Sequence, residues 1–376
     1  MKHKFEYLES SLAQIKRDSL LRELRFGEIK GAEIVFKNKK LLNLCSNDYL
    51  GIPPTKIQNI QMQSSSRLVS GNSEDYEKLE KKLAIHKSQK RSLIFPTGYM
   101  TNLGVISTLI GKNDLIFSDE LNHASIIEAS KLSGAKISIY NHNQINDLEI
   151  KLKHNSKRKF IITEGIFSMD GDFAKLKEIT ELAEKYNAIL ILDDAHGDFV
   201  IGNNGKGTAS HFQISKKIDV YISSLSKGLG SFGGYVASNN HVIDFCINKS
   251  KSFIYTSALP SSLIRHSLDR INLDQKKYRK KLESNRDRFV KGLKNSGLSI
   301  ESKTHIIPII IGNEKTAVDF GKFIFQKGVF AQPIRYPTVK KNSARLRISI
   351  TSWLSHNQID YAIDILEKAA KFYKII

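Results

Sequence analysis

The middle of the chain, from about residue 75 to residue 240, alternates short apolar runs with amphipathic helical segments. The apolar runs are continuous, and the clearest of them is Ala188–Leu192. Strands of this kind are typical of a mostly parallel sheet that helices cover on both faces. The pattern therefore predicts an α/β fold, in which ligands bind beyond the carboxyl ends of the strands.

Two further regions flank this middle part. Residues 1–44 predict an N-terminal arm, with a helix over 1–26 followed by a small β-hairpin at 33–44. Residues 45–260 form the predicted large domain. Residues 261–376 contain a long helical stretch and then a smaller α+β pattern, which predicts a second domain. A chain of 376 residues is long enough for such a division.

The composition excludes several classes of protein. Hydrophobic residues make up 40% and charged residues 26% of the chain, which predicts a packed core. Cys45 and Cys246 are too few for a disulfide framework or a zinc site, and they suit a reducing cytosol. The N-terminus is polar, and no apolar run approaches the length of a membrane span. We therefore expect a cytoplasmic protein without a metal and without a membrane partner.

The formal net charge of the chain is +20 at pH 7. Such a charge can attract an anionic partner, for example nucleic acid, a phosphorylated cofactor or an acidic carrier protein. The lysines are scattered, however, and they are not interleaved with aromatic residues as on a surface that binds nucleic acid. We therefore expect no nucleic-acid partner, and a lysine-rich surface without a specific partner stays an open explanation.

The strongest single signal for a site is Asp193, which directly follows the apolar run at 188–192. Burying a carboxylate is costly unless it has a cationic or protonated partner. A pyridinium nitrogen is one such partner, and a metal held by Asp193, Asp194 and His196 is the competing explanation. No further ligand at helical spacing supports a metal. The chain also lacks the GxxxxGK[ST] pattern of a P-loop.

A single lysine, Lys227, follows the apolar run Val220–Ile222 and a group of hydroxyls, and it precedes a glycine-rich turn. Lysine is seldom fully buried unless it is paired, and a desolvated amine becomes a nucleophile. The position predicts a Schiff base between Lys227 and a carbonyl, such as the aldehyde of pyridoxal 5′-phosphate (PLP). A solvated lysine in a turn is the alternative.

Residues after the other strands supply the remaining parts of a PLP site. His123 can stack on a flat ring or act as an acid or base, and Ser168 and His196 can bond a ring hydroxyl. A glycine turn at Gly98 opens a helix, and helix N-termini bind phosphate. Each residue alone has an ordinary structural explanation, but together they supply what PLP needs.

Seven short motifs spread along the chain are specific enough to indicate a family. They are Ser46–Gly51, Ser66–Gly71, Asn122–Ser125, Thr163–Asp172, Asp193–Gly197, Ser226-Lys227 and Ala344–Arg347. Together they resemble the α-oxoamine synthases, a family of fold-type-I PLP enzymes, over residues 22–370. The resemblance implies a large domain with a mostly parallel seven-stranded sheet between helices, a smaller C-terminal α+β domain, an N-terminal arm and a homodimer with shared active sites.

The resemblance also implies a role for each matching residue. Lys227 would hold the aldehyde carbon of the cofactor, Asp193 would pair with the pyridinium nitrogen, and His123 would stack on the ring. Ser168 and His196 would bond the phenolic oxygen. The implied phosphate ligands are the Gly98 and Tyr99 amides, Ser224, and Thr256 and Ser257 from the other subunit.

For the substrates, the resemblance implies that Asn47 and Arg347 hold a carboxylate, a task that suits a planar guanidinium. Arg22 is the implied contact of the acyl substrate. Three stretches favour the family member that condenses L-alanine with a pimeloyl thioester, of CoA or of acyl carrier protein, in biotin biosynthesis. The alternatives are a member that joins glycine to acetyl-CoA and a non-catalytic binding protein with the same fold. The three stretches are Asn141–Asn143, Met169–Asp172 and Ile334–Val339.

Three places depart from the family pattern. A stretch that is normally rich in glycine contains Met62, Gln63, Ser64 and Ser65. Tyr336 stands where a second proline is usual, and Asp198-Phe199 stands where small residues are usual. These departures leave the acyl group and the amino acid more open than the cofactor.

Overall fold

The computed structural model describes residues 4–18, 20–22, 24, 27–53 and 65–376. These residues group into two compact units. One unit contains residues 47–168 and 172–280, and the other contains residues 1–46, 169–171 and 281–376. The three-part division of the sequence into arm, large domain and C-terminal domain stays a prediction.

The N-terminal part begins with helix α1 (Glu6–Arg17) and continues with strands β1 (Glu28–Lys30), β2 (Glu33–Phe36) and β3 (Lys39–Asn43). The predicted hairpin is confirmed, because β2 and β3 pair antiparallel around a turn with positive φ, a conformation typical of tight hairpins.

The prediction of a helix over residues 1–26 is wrong in its length, since the described residues after Arg17 are not helical. The reason lies in packing. α1 buries none of its side chains, and most helical stability in proteins comes from tertiary packing, so no packed surface supports a longer helix here.

The larger unit is built from seven strands and the helices before, between and after them. The strands are β4 (Arg91–Phe95), β5 (Leu115–Asp119), β6 (Lys136–Tyr140), β7 (Lys159–Glu164), β8 (Ala188–Asp193), β9 (Val220–Ser224) and β10 (Gly234–Ser238). The helices are α2 (Glu74–Lys87), α3 (Gly98–Leu109), α4 (Ala124–Leu132), α5 (Ile145–Leu152), α6 (Leu176–Lys185), α7 (Thr208–His211), α8 (Asn240–Lys249), α9 (Lys251–Ile254) and α10 (Ser261–Asn272).

The seven strands form one sheet in the order β4-β10-β9-β8-β7-β5-β6. β10 runs antiparallel to both of its neighbours, and the other pairs are parallel. The core contains side chains from the central strands, among them Ile116, Ile162, Ile191, Ile222 and Val236. This arrangement confirms the predicted α/β fold with a mostly parallel sheet.

The smaller unit contains the C-terminal elements and the N-terminal hairpin. The strand β12 (Val329–Phe330) pairs in parallel with β3 and extends the hairpin to the sheet β1-β2-β3-β12. A second sheet is formed by β11 (Ile306–Gly312), β14 (Ala344–Ser349) and β13 (Gln332–Ile334), in that order. In the part of the chain that the structure describes, no helix is long and apolar enough to cross a bilayer. The C-terminal elements are α11 (Lys276–Asn295), β11 (Ile306–Gly312), α12 (Glu314–Gln326), β12 (Val329–Phe330), β13 (Gln332–Ile334), β14 (Ala344–Ser349) and α13 (His356–Phe372).

Candidate active site

The Asp193 carboxylate is held at the carboxyl end of β8, where the side chain is almost buried. Asn102 Nδ2 on α3 donates to Asp193 Oδ2 at 2.7 Å, and the backbone N–H of Ala195 donates to Oδ1 at 3.0 Å. Both donors are neutral, so they orient the carboxylate without cancelling its charge. Asp193 is therefore positioned to pair with a protonated group of a ligand.

Lys227 lies on the turn between β9 and β10, and its amine contacts a buried histidine. Lys227 Nζ is 2.8 Å from His196 Nε2. On the other side of the same ring, His196 Nδ1 is 2.7 Å from the Tyr49 hydroxyl, which in turn lies 3.0 Å from Asn47 Oδ1. The structure thus brings three predicted site residues into one hydrogen-bonded chain. Tyr49 was missed as a site residue, although it lies within the Ser46–Gly51 motif.

His123 caps the N-terminus of α4 with a side chain that is exposed to solvent, although neighbouring groups partly desolvate its imidazole. Its Nδ1 accepts from the Ser125 backbone N–H at 3.2 Å and lies 2.8 Å from Ser125 Oγ. Burial lowers the pKa of His123; the charge of Asp193 opposes this shift and the charge of Lys227 adds to it. The ring is therefore neutral at physiological pH, which suits a stacking partner better than a permanent cation.

Glu164, at the end of β7, is a second carboxylate beside Asp193, since the two residues are paired in the sheet register. It is buried, and within the described residues its Oε1 has no hydrogen-bond partner. Burial, together with the charge of Asp193, raises the pKa of Glu164 well above its ordinary value. Glu164 therefore keeps its proton, because two neighbouring carboxylates do not both ionise cheaply. The motif Thr163–Asp172 contains this residue, which sequence reasoning did not single out.

The predicted phosphate site is the N-terminus of α3, where the backbone N–H groups of the first turn lack helical partners. Thr97 caps the helix by accepting from the Met100 N–H at 3.1 Å. A Cβ added at Gly98 would lie 3.1 Å from Ser224 Cβ, so the helix start and the end of β9 approach each other closely. The Ser224 hydroxyl also lies 2.8 Å from Ser226 Oγ.

These observations test whether the residues fit PLP. The larger unit contains an anion cradle at Gly98, an oriented carboxylate at Asp193, a neutral imidazole at His123 and an amine at Lys227. Each meets a separate chemical requirement of the cofactor, namely its phosphate, its pyridinium nitrogen, its flat ring and its aldehyde. The residues present therefore fit the group.

Three other predicted residues also lie in the larger unit. Ser168 follows β7 and is partly buried. Thr256 is partly buried and Ser257 is exposed, both shortly after α9. Their roles at the phenolic oxygen and at the partner's phosphate stay predictions.

The predicted substrate arginines lie in the smaller unit. Arg347 is on β14, is almost buried, and donates to Ser349 Oγ at 2.8 Å. Arg22 is exposed and belongs to no helix or strand. Burial lowers the pKa of Arg335, and the charge of Arg22 adds to this shift. The roles proposed for Arg347 and Arg22 stay predictions.

Asp198, one of the departures from the family pattern, is the centre of a buried polar cluster. Lys87 Nζ is 2.7 Å from Asp198 Oδ1, and Ser223 Oγ and the Tyr235 hydroxyl donate to Oδ2 at 2.7 and 2.5 Å. Burial opposes the charge of Lys87, but Asp194 and Asp198 outweigh it and raise the pKa of the amine. The unusual carboxylate of Asp198 therefore has a cationic partner at one oxygen and two hydrogen-bond donors at the other.

The same cluster bears on the competing metal hypothesis. Asp194 contacts Lys87 Nζ at 2.9 Å and Thr208 Oγ1 at 2.7 Å. Across the described ranges no group of three or more histidine, cysteine, aspartate or glutamate side chains is arranged to hold a metal ion. Of the other departures, Tyr336 is exposed, and Met62, Gln63 and Ser64 lie outside the described residues.

The fold and this set of residues define a fold-type-I, PLP-dependent transferase. The family described as Aminotransferase class I and II matches residues 39–366. The chain belongs to this family, and PLP is its cofactor. These findings confirm the predicted fold class, cofactor and enzyme class, an acyltransferase of the α-oxoamine synthase type.

Known proteins resemble the chain over nearly its whole length. The 8-amino-7-oxononanoate synthase of Thermoanaerobacter pseudethanolicus is 39% identical, covering 100% of this chain and 99% of that protein. The 8-amino-7-oxononanoate synthase 1 of Bacillus subtilis is 36% identical, with 100% of both covered.

Two solved structures show the same fold. A serine palmitoyltransferase variant from S. paucimobilis with a bound PLP–myriocin adduct has a TM-score of 0.92 at 25% identity over 99% of each chain. An 8-amino-7-oxononanoate synthase from Francisella tularensis has a TM-score of 0.75 at 28% identity, covering 89% of this chain and 99% of that one.

Proposed function

We propose that this protein is a cytoplasmic, homodimeric 8-amino-7-oxononanoate synthase of biotin biosynthesis. It condenses L-alanine with a pimeloyl thioester, of CoA or of acyl carrier protein, and gives 8-amino-7-oxononanoate, CO2 and the free thiol. The observation that carries the proposal is the pair of Lys227 and Asp193 at neighbouring strand ends, with the Lys227 amine 2.8 Å from His196. The names of the full-length relatives support the choice of substrates.

The cofactor supplies an electron sink for bond changes at the α-carbon of the amino acid. Asp193 would hold the proton on the ring nitrogen, and Asn102 orients its carboxylate for that role. Lys227 Nζ would hold the aldehyde carbon of the cofactor and, as a free amine, would take the α-proton of the amino acid. Asn47 and Arg347 hold the amino-acid carboxylate, which fixes the bond to be broken.

The second half of the reaction consumes one proton from water, which the departing thiolate takes to become the free thiol. A carbon–carbon bond forms between the α-carbon of alanine and the thioester carbonyl, and the thiol leaves. The α-carboxylate then departs as CO2, and Lys227 Nζ returns a proton to the α-carbon. In a homodimer, Thr256 and Ser257 reach the phosphate of the cofactor in the partner subunit.

The test is an assay of the purified, PLP-loaded protein with defined substrate pairs. We expect L-alanine to perturb the visible absorbance of the bound cofactor, and pimeloyl-CoA or pimeloyl carrier protein then to give 8-amino-7-oxononanoate. Faster turnover of glycine with acetyl-CoA would assign the chain to another α-oxoamine synthase. A protein that neither takes up PLP nor responds to either amino acid would refute the catalytic proposal altogether.

A further inference from the structure

Four side chains of the larger unit form a continuous hydrogen-bonded chain, Lys227–His196–Tyr49–Asn47. The consecutive distances are 2.8 Å, 2.7 Å and 3.0 Å. His196 is almost completely buried and Tyr49 is completely buried, whereas Asn47 is exposed at the far end. The chain therefore connects the proposed base with the proposed ligand of the substrate carboxylate through two buried groups.

The number of protons that these four side chains can donate allows only certain arrangements of the hydrogen bonds between them. A protonated lysine has three donors and no acceptor, so His196 Nε2 must accept from it. A neutral imidazole then carries its proton on Nδ1, and that N–H donates to the Tyr49 oxygen. The single Tyr49 proton is left for Asn47 Oδ1, which leaves both N–H groups of the Asn47 amide for other acceptors.

The arrangement reverses when the Lys227 nitrogen is no longer an ammonium group. His196 Nε2 can then carry the proton and donate it to an acceptor, such as the phenolic oxygen of the cofactor. His196 Nδ1 becomes an acceptor and takes the only Tyr49 proton, so that Tyr49 no longer donates to Asn47. A hydroxyl serves in both arrangements because it can donate and accept.

We propose that Tyr49 is a positioning residue that relays the His196 tautomer, and with it the protonation state of Lys227, to the orientation of the Asn47 amide. This inference rests on the proposed function for the roles of Lys227 and Asn47. The titratable groups around its Lys227 end are His123, Glu164 and Asp193. Through Tyr49, the amide presents its N–H groups to a carboxylate when the amine is protonated.

The first test uses the cofactor-free wild-type protein labelled with ¹⁵N-histidine. A His196→Gln variant identifies the His196 resonances among those of the 11 histidines. At neutral pH we expect His196 to be the Nδ1–H tautomer, and we expect it to change to Nε2–H when PLP is added. The Nε2–H tautomer in the cofactor-free protein, or no change on loading, would overturn the inference.

The second test uses Tyr49→Phe, which removes the hydroxyl alone. In the cofactor-free variant Lys227 still imposes the Nδ1–H tautomer, so the readout is the Asn47 amide, labelled with ¹⁵N-asparagine and identified with Asn47→Asp. We expect its resonances to shift less than in the wild type when PLP is added, because the hydroxyl that links it to His196 is gone. Tyr221→Phe is a matched control, because Tyr221 is equally buried. Its hydroxyl donates to the Ser215 carbonyl at 3.0 Å and takes no part in the hydrogen bonds that link Lys227 to Asn47. An Asn47 amide shift in Tyr49→Phe equal to that of the wild type would overturn the inference, while a variant that does not fold leaves the wild-type measurement to decide.

Kinetics of the loaded enzyme separate positioning from a merely structural role. In Tyr49→Phe we expect the KM for L-alanine to rise about three- to tenfold with a smaller change in kcat, the size of one lost hydrogen bond. Asn47→Asp keeps an acceptor for Tyr49, so it should lose L-alanine binding but retain the His196 tautomer. The His196 tautomer is measured without substrate, so this measurement still tests the inference if the proposed substrate pair is wrong.

Discussion

Two lysine side chains contact residues that lie just after the end of β8. One lysine contacts carboxylates, and the other contacts an imidazole. Lys87 is completely buried between the carboxylates of Asp194 and Asp198, at 2.9 and 2.7 Å. Lys227 is partly buried and contacts an imidazole nitrogen at 2.8 Å. The two carboxylates raise the pKa of the Lys87 amine and keep it charged, whereas an imidazole nitrogen offers an amine a hydrogen bond without a carboxylate charge. The partner, and not the residue type, separates a fixed cation from a reactive amine.

The adjacent residues Asp193 and Asp194 divide between these two lysine environments. Asp194 binds Lys87 and Thr208, while Asp193 accepts from neutral donors. Successive residues of a strand point to opposite faces, so one Asp-Asp pair serves a structural cluster on one side and a site on the other. The following experiments test this division.

The largest effect is expected from Lys227→Ala. We expect turnover to fall about a thousandfold or more, because the variant lacks both the cofactor attachment and the base. The free energy of unfolding should change by less than about 1 kcal/mol, since the amine is only partly buried. Steady-state assays, visible absorbance and urea unfolding measure these quantities. Lys216→Ala, at an exposed lysine before β9, is the control. Full turnover in Lys227→Ala would remove the lysine from the mechanism.

The converse result is expected from Lys87→Met. This change leaves two buried carboxylates without their cation, so we expect a loss of about 3–5 kcal/mol in the free energy of unfolding. The kcat of the folded fraction should fall by less than Lys227→Ala lowers it. Urea unfolding of the cofactor-free protein gives the first quantity. Adding Asp198→Asn to Lys87→Met should recover part of the loss. A loss below about 1 kcal/mol would show that the cluster is not a fixed ion pair.

A smaller effect is expected at His142, which has two carboxylate partners, like Lys87, but can titrate. Its ring nitrogens lie 2.9 Å from Asp119 and 2.8 Å from Asp172. Burial opposes the charge, but these hydrogen bonds outweigh it and raise the pKa of His142 from 6.5 to about 10. The stabilisation is therefore fully present below about pH 6.5 and is lost as the pH rises to about 10.

The size of this effect is on the order of 2 kcal/mol, because the partial exposure of Asp172 weakens the interaction. Unfolding free energies of the wild type and of His142→Asn, measured from pH 6 to pH 10, give the comparison. The wild type should lose stability over this range more steeply than the variant. Equal slopes would show that His142 is not held as a cation.

Much of the fold could be predicted from the sequence, because local patterns specify it. Most strands of the large sheet contain continuous apolar runs, and the two runs named in the sequence, 188–192 and 220–222, lie within β8 and β9. Asp193 and Lys227 were found because a charged group after a buried strand needs a partner. The helix over 1–26 was predicted too long because a leucine pattern does not reveal whether any surface packs against it.

The remaining parts of the site depend on contacts between distant positions. Lys87 and Asp194 are 107 positions apart, and Tyr49 and His196 are 147 positions apart. The local sequence does not indicate either contact, since lysines on amphipathic helices and tyrosines in loops are ordinarily at the surface. Likewise, the pairing of β12 with β3 joins the N-terminal arm to a strand that follows it by nearly three hundred residues.

The position of Lys227 on the turn between β9 and β10 has a consequence for folding kinetics. These two strands are neighbours in sequence and in space, and contacts of short sequence separation form fastest. The parallel pairing of β7, β8 and β9 closes much longer loops and is slower. We therefore expect the amine to be in place before Asp193 and His196 arrive beside it. Capture of the coloured cofactor during refolding should then report the pairing of β8 with β9, and not the pairing of β10 with β4, whose strands lie much farther apart in sequence.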